Sequence, residues 1–125
     1  MKMNISMKMT AIAAAAWFLL LAGASAFAAA AAENYRFYCS QCHGLGGKGD
    51  GPNATKNMPV SPRDHTSKYE MEKLTDEDII NVIRDGGAAT SKSTLMPPFG
   101  RTLTASEITA MKDYLRRLCK CKAQS

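Results

Sequence analysis

Cys39-Ser40-Gln41-Cys42-His43 is the densest run of reactive side chains in this 125-residue sequence. Two thiols separated by two residues and followed at once by an imidazole form the Cys-x-x-Cys-His pattern of c-type haem attachment. The spacing has a chemical reason. The thiols of Cys39 and Cys42 add across the vinyl groups on one edge of the porphyrin, and His43 lies under the iron as proximal ligand. Two other readings use the same atoms. A Cys-x-x-Cys pair can be a redox disulfide, although the adjoining histidine and the lack of a βαβ pattern speak against it. Cys39 and Cys42 can also be half of a zinc site completed by Cys119 and Cys121.

A haem held this way takes its second axial ligand from elsewhere in the chain. The candidates are Met58, Met71, Met96, Met111 and His65. Met111 falls on the apolar face of the last helix and reads as core. Met71, between Glu70 and Glu72, reads as surface or filler, and His65 as a surface loop histidine. Met58 precedes Pro59, which gives it a short rigid loop. Met96 is favoured. Pro97 biases it towards extended backbone, Pro97-Pro98 stiffens the loop, and its position 53 residues after His43 lets the chain pass round a haem edge. A thioether ligand there favours the ferrous state.

The elements that must position these groups are helical. Residues 33–42 read as a short helix with aromatics at Tyr35, Phe37 and Tyr38. Residues 44–64 hold five glycines and three prolines and read as loop. A second helix starts at the Thr75/Asp78 capping box, carries Ile79, Ile80, Val82 and Ile83 on one face, and closes at Gly86-Gly87. Residues 88–99 are loop again. The last helix starts at the Thr104/Glu107 capping box and buries Ile108, Met111, Leu115 and Leu118. Arg116, Arg117, Lys120 and Lys122 crowd its end, where cations suit the helix dipole. No strand is predicted, so the class is all-α with long ordered loops.

The start of the chain reads differently. Residues 1–9 are basic through Lys2 and Lys8, residues 10–32 carry no charge, and Ala24-Ser25-Ala26 and Ala26-Phe27-Ala28 offer small-residue cleavage sites. This is the pattern of a secretory signal peptide over 1–32, cut between Ala26 and Ala32. The rival reading is a retained membrane anchor, but the bulky apolar residues are confined to 17–21. The domain then spans 33–118, with 119–125 as a basic, cysteine-containing tail beyond the packed turns. Without Lys2 and Lys8 the net charge falls from +5 to +3. That is too little to argue for nucleic acid, and no aromatic stacking platform is present. So short a domain builds only a modest core and gains from a cofactor to fold around.

From residue 33 to 118 the sequence resembles the small class I cytochromes c of bacteria. The likeness rests on Cys-Ser-Gln-Cys-His-Gly, Gly49-Asp50-Gly51-Pro52, Pro62-Arg63-Asp64, the run Ile83-Arg84-Asp85-Gly86-Gly87, and Leu95-Met96-Pro97-Pro98-Phe99-Gly100. It implies a fold of three main helices wrapped around one covalent haem c, with His43 and Met96 as axial ligands. It also implies that the Pro52 carbonyl receives the second His43 nitrogen, and that Tyr35–Tyr38 meet Met111, Tyr114 and Leu115 where the first and last helices cross. Arg63 is a candidate partner for a haem propionate and equally a plain solvated arginine. The region lacks the tryptophan of the mitochondrial members, since Trp17 lies in the leader.

The function expected is one-electron transfer between larger redox proteins, in the periplasm or otherwise outside the cytoplasm. No enzyme activity, nucleic acid or small-molecule substrate is expected, and membrane association only if the leader stays on. Two alternatives stay open: a haem protein with an open or displaceable sixth site acting as sensor or peroxidase, and a haem-free structural metal-binding domain. Cys119 and Cys121 fit either a strained short bridge, intermolecular bridges, a soft-metal site or free thiols.

Overall fold

A computed structural model describes residues 28–123. The leader expected at 1–32 lies outside the described residues through position 27, and its last positions open the first helix. Among the described residues there are four helical elements and no strand. The all-α expectation holds. No described helix is long and apolar enough to cross a membrane.

Helix α1 covers 28–43 without a break. It begins earlier than the predicted residue 33 because the alanines at 28–32 are strong helix formers, and Ala31 is already buried. The turn Tyr35–Cys39 is π-helical, and Ser40–His43 returns to α geometry. The wide turn is held by Ser40 N–H donating to the Tyr35 carbonyl and by Ser40 Oγ–H donating to the Arg36 carbonyl at 2.6 Å. Tyr35 and Ser40, five residues apart, thus both face inward. Such bulges concentrate at functional sites. Gly44, at φ +78°, ends the helix.

Helix α2, Lys68–Glu72, is short and capped by Ser67. Helix α3, Asp76–Ala89, starts at the expected Thr75/Asp78 capping box and breaks at Gly86, where φ is +80°. Helix α4, Ala105–Cys119, starts at the Thr104/Glu107 box. Its inner face is Ile108, Met111, Leu115 and Cys119, so the fourth buried position is Cys119 and not the predicted Leu118. The core joins these residues to Tyr35, Met71, Ile79, Ile83 and Leu103. Met71 is therefore core, which excludes the surface half of its surface-or-filler reading, because α2 lies across α4. Helices α1 and α4 meet through Tyr35 and Tyr114, whose ring centroids are 5.0 Å apart.

The C-terminal residues overturn one expectation. Cys119 and Cys121 are disulfide-bonded to each other, are 4% and 8% exposed, and belong to the core. Residues 119–121 are thus part of the packed domain and not a tail beyond it. Lys120 takes the left-handed conformation, φ +50°, which turns the chain back so that Cys121 N–H donates to the Arg116 carbonyl. Arg116 in turn ties α4 to the α2–α3 junction. Its guanidinium donates to the Met71 and Leu74 carbonyls at 2.8 and 2.6 Å and to Asp76 at 2.8 Å.

Candidate haem site

The 44–64 loop is laid over the end of α1. Gly49, Gly51 and Asn53 donate to the carbonyls of His43, Cys42 and Gln41 at 2.8, 3.0 and 2.8 Å. These are carbonyls that a helix end leaves without intrahelical partners. A side chain on Gly51 would sit 2.4 Å from the Ser40 carbonyl oxygen, so glycine is needed for the approach. A second clasp forms at the end of α3. The Gly87 N–H donates to the Met96 carbonyl at 3.0 Å, and Phe99 and Gly100 donate to Ile83 and Arg84 at 2.9 Å each. A side chain on Gly86 would lie 3.0 Å from the Met96 carbonyl oxygen. The Gly86-Gly87 pair thus both breaks the helix and seats the Met96 loop.

Between the two clasps lies a cavity of about 440 Å³, walled mainly by carbon. It falls within the size range of cofactor sites, roughly 300–1,000 Å³. Cys39, Cys42 and His43 line one part of it, and Met96, Met58 and Arg63 also reach it. Cys39 and Cys42 are free thiols. Burial, with a smaller contribution from Cys42, pushes the Cys39 thiol up to about 12, so it is uncharged. Burial also lowers the pKa of His43. A neutral imidazole is what an iron ligand must be.

His43 Nδ1 bonds the Arg63 carbonyl at 2.9 Å. A carbonyl only accepts, so the proton is on Nδ1 and the Nε2 lone pair is left for a metal. The partner carbonyl is not that of Pro52, which is exposed on its turn. The reason is the loop's path: Gly49 and Gly51 spend their N–H groups on α1, and Gly49 lies so close to Pro62 that a side chain would fall 2.4 Å from its oxygen. That brings Arg63, not Pro52, alongside the imidazole. The Arg63 side chain pairs with Glu70 at 2.9 Å.

His65 is buried and not a surface histidine. Its ring stacks on His43 with centroids 4.0 Å apart and planes 18° off parallel. The Tyr35 hydroxyl lies 2.9 Å from its Nδ1. Burial, reinforced by His43 and Arg63, pushes its pKa down to about 3. The Tyr35 hydroxyl is raised by burial as well, so both groups are neutral. Nothing in the sequence marks this pair, because its partners stand 30 residues apart. The zinc reading fails: the Cys119 and Cys121 sulfurs are bonded to each other and are not thiolate ligands for a site with Cys39 and Cys42. Among the described residues no group of three or more His, Cys, Asp or Glu is arranged to hold a metal ion.

A helical chain folded around one apolar cavity, with Cys-x-x-Cys-His on its wall and a methionine loop clasped beside it, defines a class I-like cytochrome c. The chain belongs to the family described as cytochrome C oxidase, cbb3-type, subunit III, whose model matches residues 26–115. The cofactor of such proteins is covalently bound haem c, and their chemistry is electron transfer. No curated protein matches the chain. Among solved structures it is similar to the KustC0563 c-type cytochrome, with a TM-score of 0.56 and 25% identity over 70% of this chain and 94% of that one. It is also similar to a chain of the Kuenenia stuttgartiensis reducing HAO-like protein complex Kustc0457/Kustc0458, with a TM-score of 0.61 and 26% identity. That match covers 78% of this chain but 44% of the other.

Proposed function

We propose that this chain is a one-electron carrier with a single haem c on Cys39 and Cys42, ligated by His43 and Met96, that works outside the cytoplasm between larger redox proteins. The observation that carries the reading is the meeting of two free thiols, a neutral imidazole with its Nε2 lone pair unused, and the Met96 loop at one apolar cavity. When bound, the haem supplies an iron that gains and loses one electron. The residues of the chain do the rest. Arg63 holds the His43 proton at Nδ1, and the Gly86-Gly87 clasp holds the Met96 loop so that ligation survives both oxidation states. The apolar wall excludes water, which favours the uncharged surroundings of a thioether-ligated iron. Arg63 is a further candidate partner for a propionate, in exchange for Glu70. The Cys119–Cys121 disulfide fits an oxidising compartment, as does the leader pattern.

Protein made in a host with haem-attachment machinery should weigh one haem more than its polypeptide and keep that haem through acid–acetone extraction. Met96→Ala should keep the haem, lose the weak red absorption band of thioether-bound ferric iron, lower the potential and admit small ligands. His43→Ala should impair formation of holoprotein. Met58 also reaches the cavity and is the competing ligand. A red band lost in Met58→Ala but intact in Met96→Ala would reassign the site, and a wild-type protein without the band would favour the open-site sensor or peroxidase.

A further inference from the structure

We infer that His65 is a positioning residue for the His43 imidazole, a flat buried wall that fixes the rotation of the ligand ring. This rests on the reading of His43 as an iron ligand. The hydrogen bond from Nδ1 to Arg63 restrains one edge of the ring, but the carbonyl acceptor direction is broad. The terminal torsion of a histidine side chain is also broad by itself. A second constraint is needed to hold the plane, and the parallel contact at 4.0 Å supplies it.

The wall is itself held by two hydrogen bonds. The Tyr35 hydroxyl and His65 Nδ1 share a hydrogen bond at 2.9 Å. The His65 backbone N–H donates to the Gly47 carbonyl at 2.6 Å. Gly47 lies beside both groups at φ +79°, a conformation that a side chain would strain. Tyr35 is seated in turn against Tyr114 of α4. The π-turn of α1 faces Tyr35 inward while carrying Cys39. Arg63 and His65 lie two residues apart, so one short stretch grips His43 by its edge and by its face.

The plane of an axial imidazole, together with the orientation of a thioether ligand, sets which ferric iron orbital holds the unpaired electron, and the paramagnetically shifted haem methyl resonances report it. The test compares the oxidised holoprotein with three variants by proton NMR and by redox titration. His65→Phe keeps a flat ring and should preserve the wild-type order of the methyl shifts. His65→Ala removes the wall and should reorder them and shift the potential. Tyr35→Phe keeps both rings and removes only the hydrogen bond; if His65→Ala fails to accumulate, this variant carries the test and should change the spread of the shifts. Unchanged methyl shifts and potential in the variant that carries the test overturn the inference, even if that variant melts at a lower temperature. A wild-type protein without covalent haem, or one whose haem keeps its spectrum in His43→Ala, would instead sink the ligand assignment.

Discussion

Gly51 shows how much of the site depends on backbone approach. A methyl group there would meet the Ser40 and Gln41 carbonyl oxygens at 2.4 and 2.5 Å. Both belong to the helical turn that bears Cys39 and Cys42, so neither can swing aside as a side chain would. Gly51→Ala should therefore cost about 1–3 kcal/mol, the range for forcing an extra carbon into a packed site. A denaturant titration should show the lowered midpoint, and faster exchange of the Gly51 and Asn53 amides should show the loop lifting from α1. An unchanged midpoint would mean that the loop gives way freely. Gly49-Asp50-Gly51-Pro52 is readable in the sequence as a motif. That it caps α1, and so hands His43 to the Arg63 carbonyl and not to Pro52, depends on which N–H meets which carbonyl.

At the scale of elements, the capped starts of α3 and α4 and the glycine stop of α3 are legible, and the end of α4 is not. Thr75/Asp78 and Thr104/Glu107 form their reciprocal caps because each box closes within four residues and needs no other part of the chain. The end of α4 depends on burial. Leu115 packs in the core, and truncating such a leucine costs about 2–5 kcal/mol. Cys119 and Cys121 lie in the same core, so replacing both by serine should also destabilise. Opening so short a disulfide loop returns roughly 1.5 kcal/mol of chain entropy to the unfolded state, and burying two hydroxyls in place of the bridge, beside the Arg116 carbonyl and guanidinium, adds about 1–3 kcal/mol. The two changes should lower the denaturation midpoint by comparable amounts. A double cysteine variant as stable as the parent would show that residues after 118 stand outside the core after all.

For the whole molecule the cavity is the dominant feature. The 440 Å³ space is partly open, so without haem its apolar wall would meet water and forfeit burial at about 25 cal/mol per Å² of apolar surface. In a domain whose total stability is roughly 5–10 kcal/mol, that loss is a large fraction. The chain with Cys39 and Cys42 both replaced by alanine, and therefore without covalent haem, should not hold this fold. It should keep part of its helical far-ultraviolet signal, lose its near-ultraviolet signal and unfold without a cooperative transition. A sharp two-state transition at a midpoint near that of the holoprotein would show that the polypeptide alone closes the cavity.

The sequence by itself determined the parts whose cause is local: the Cys-x-x-Cys-His run, both capping boxes, the glycine stop of α3 and the apolar stripes of α3 and α4. Composition and spacing also carried the all-α class and the expectation that the loops wrap something. The tertiary structure alone decided the π-turn that faces Tyr35 and Ser40 inward, the burial of Met71, His65 and the Cys119–Cys121 bridge, and the Arg63 carbonyl on His43. Each of these joins groups whose separation along the chain carries no periodic signal, or depends on how much space neighbouring helices leave. Periodicity records the face an element buries. It does not record which distant residue arrives there, because that is set by packing and by the competition of every loop N–H for the carbonyls at the end of α1.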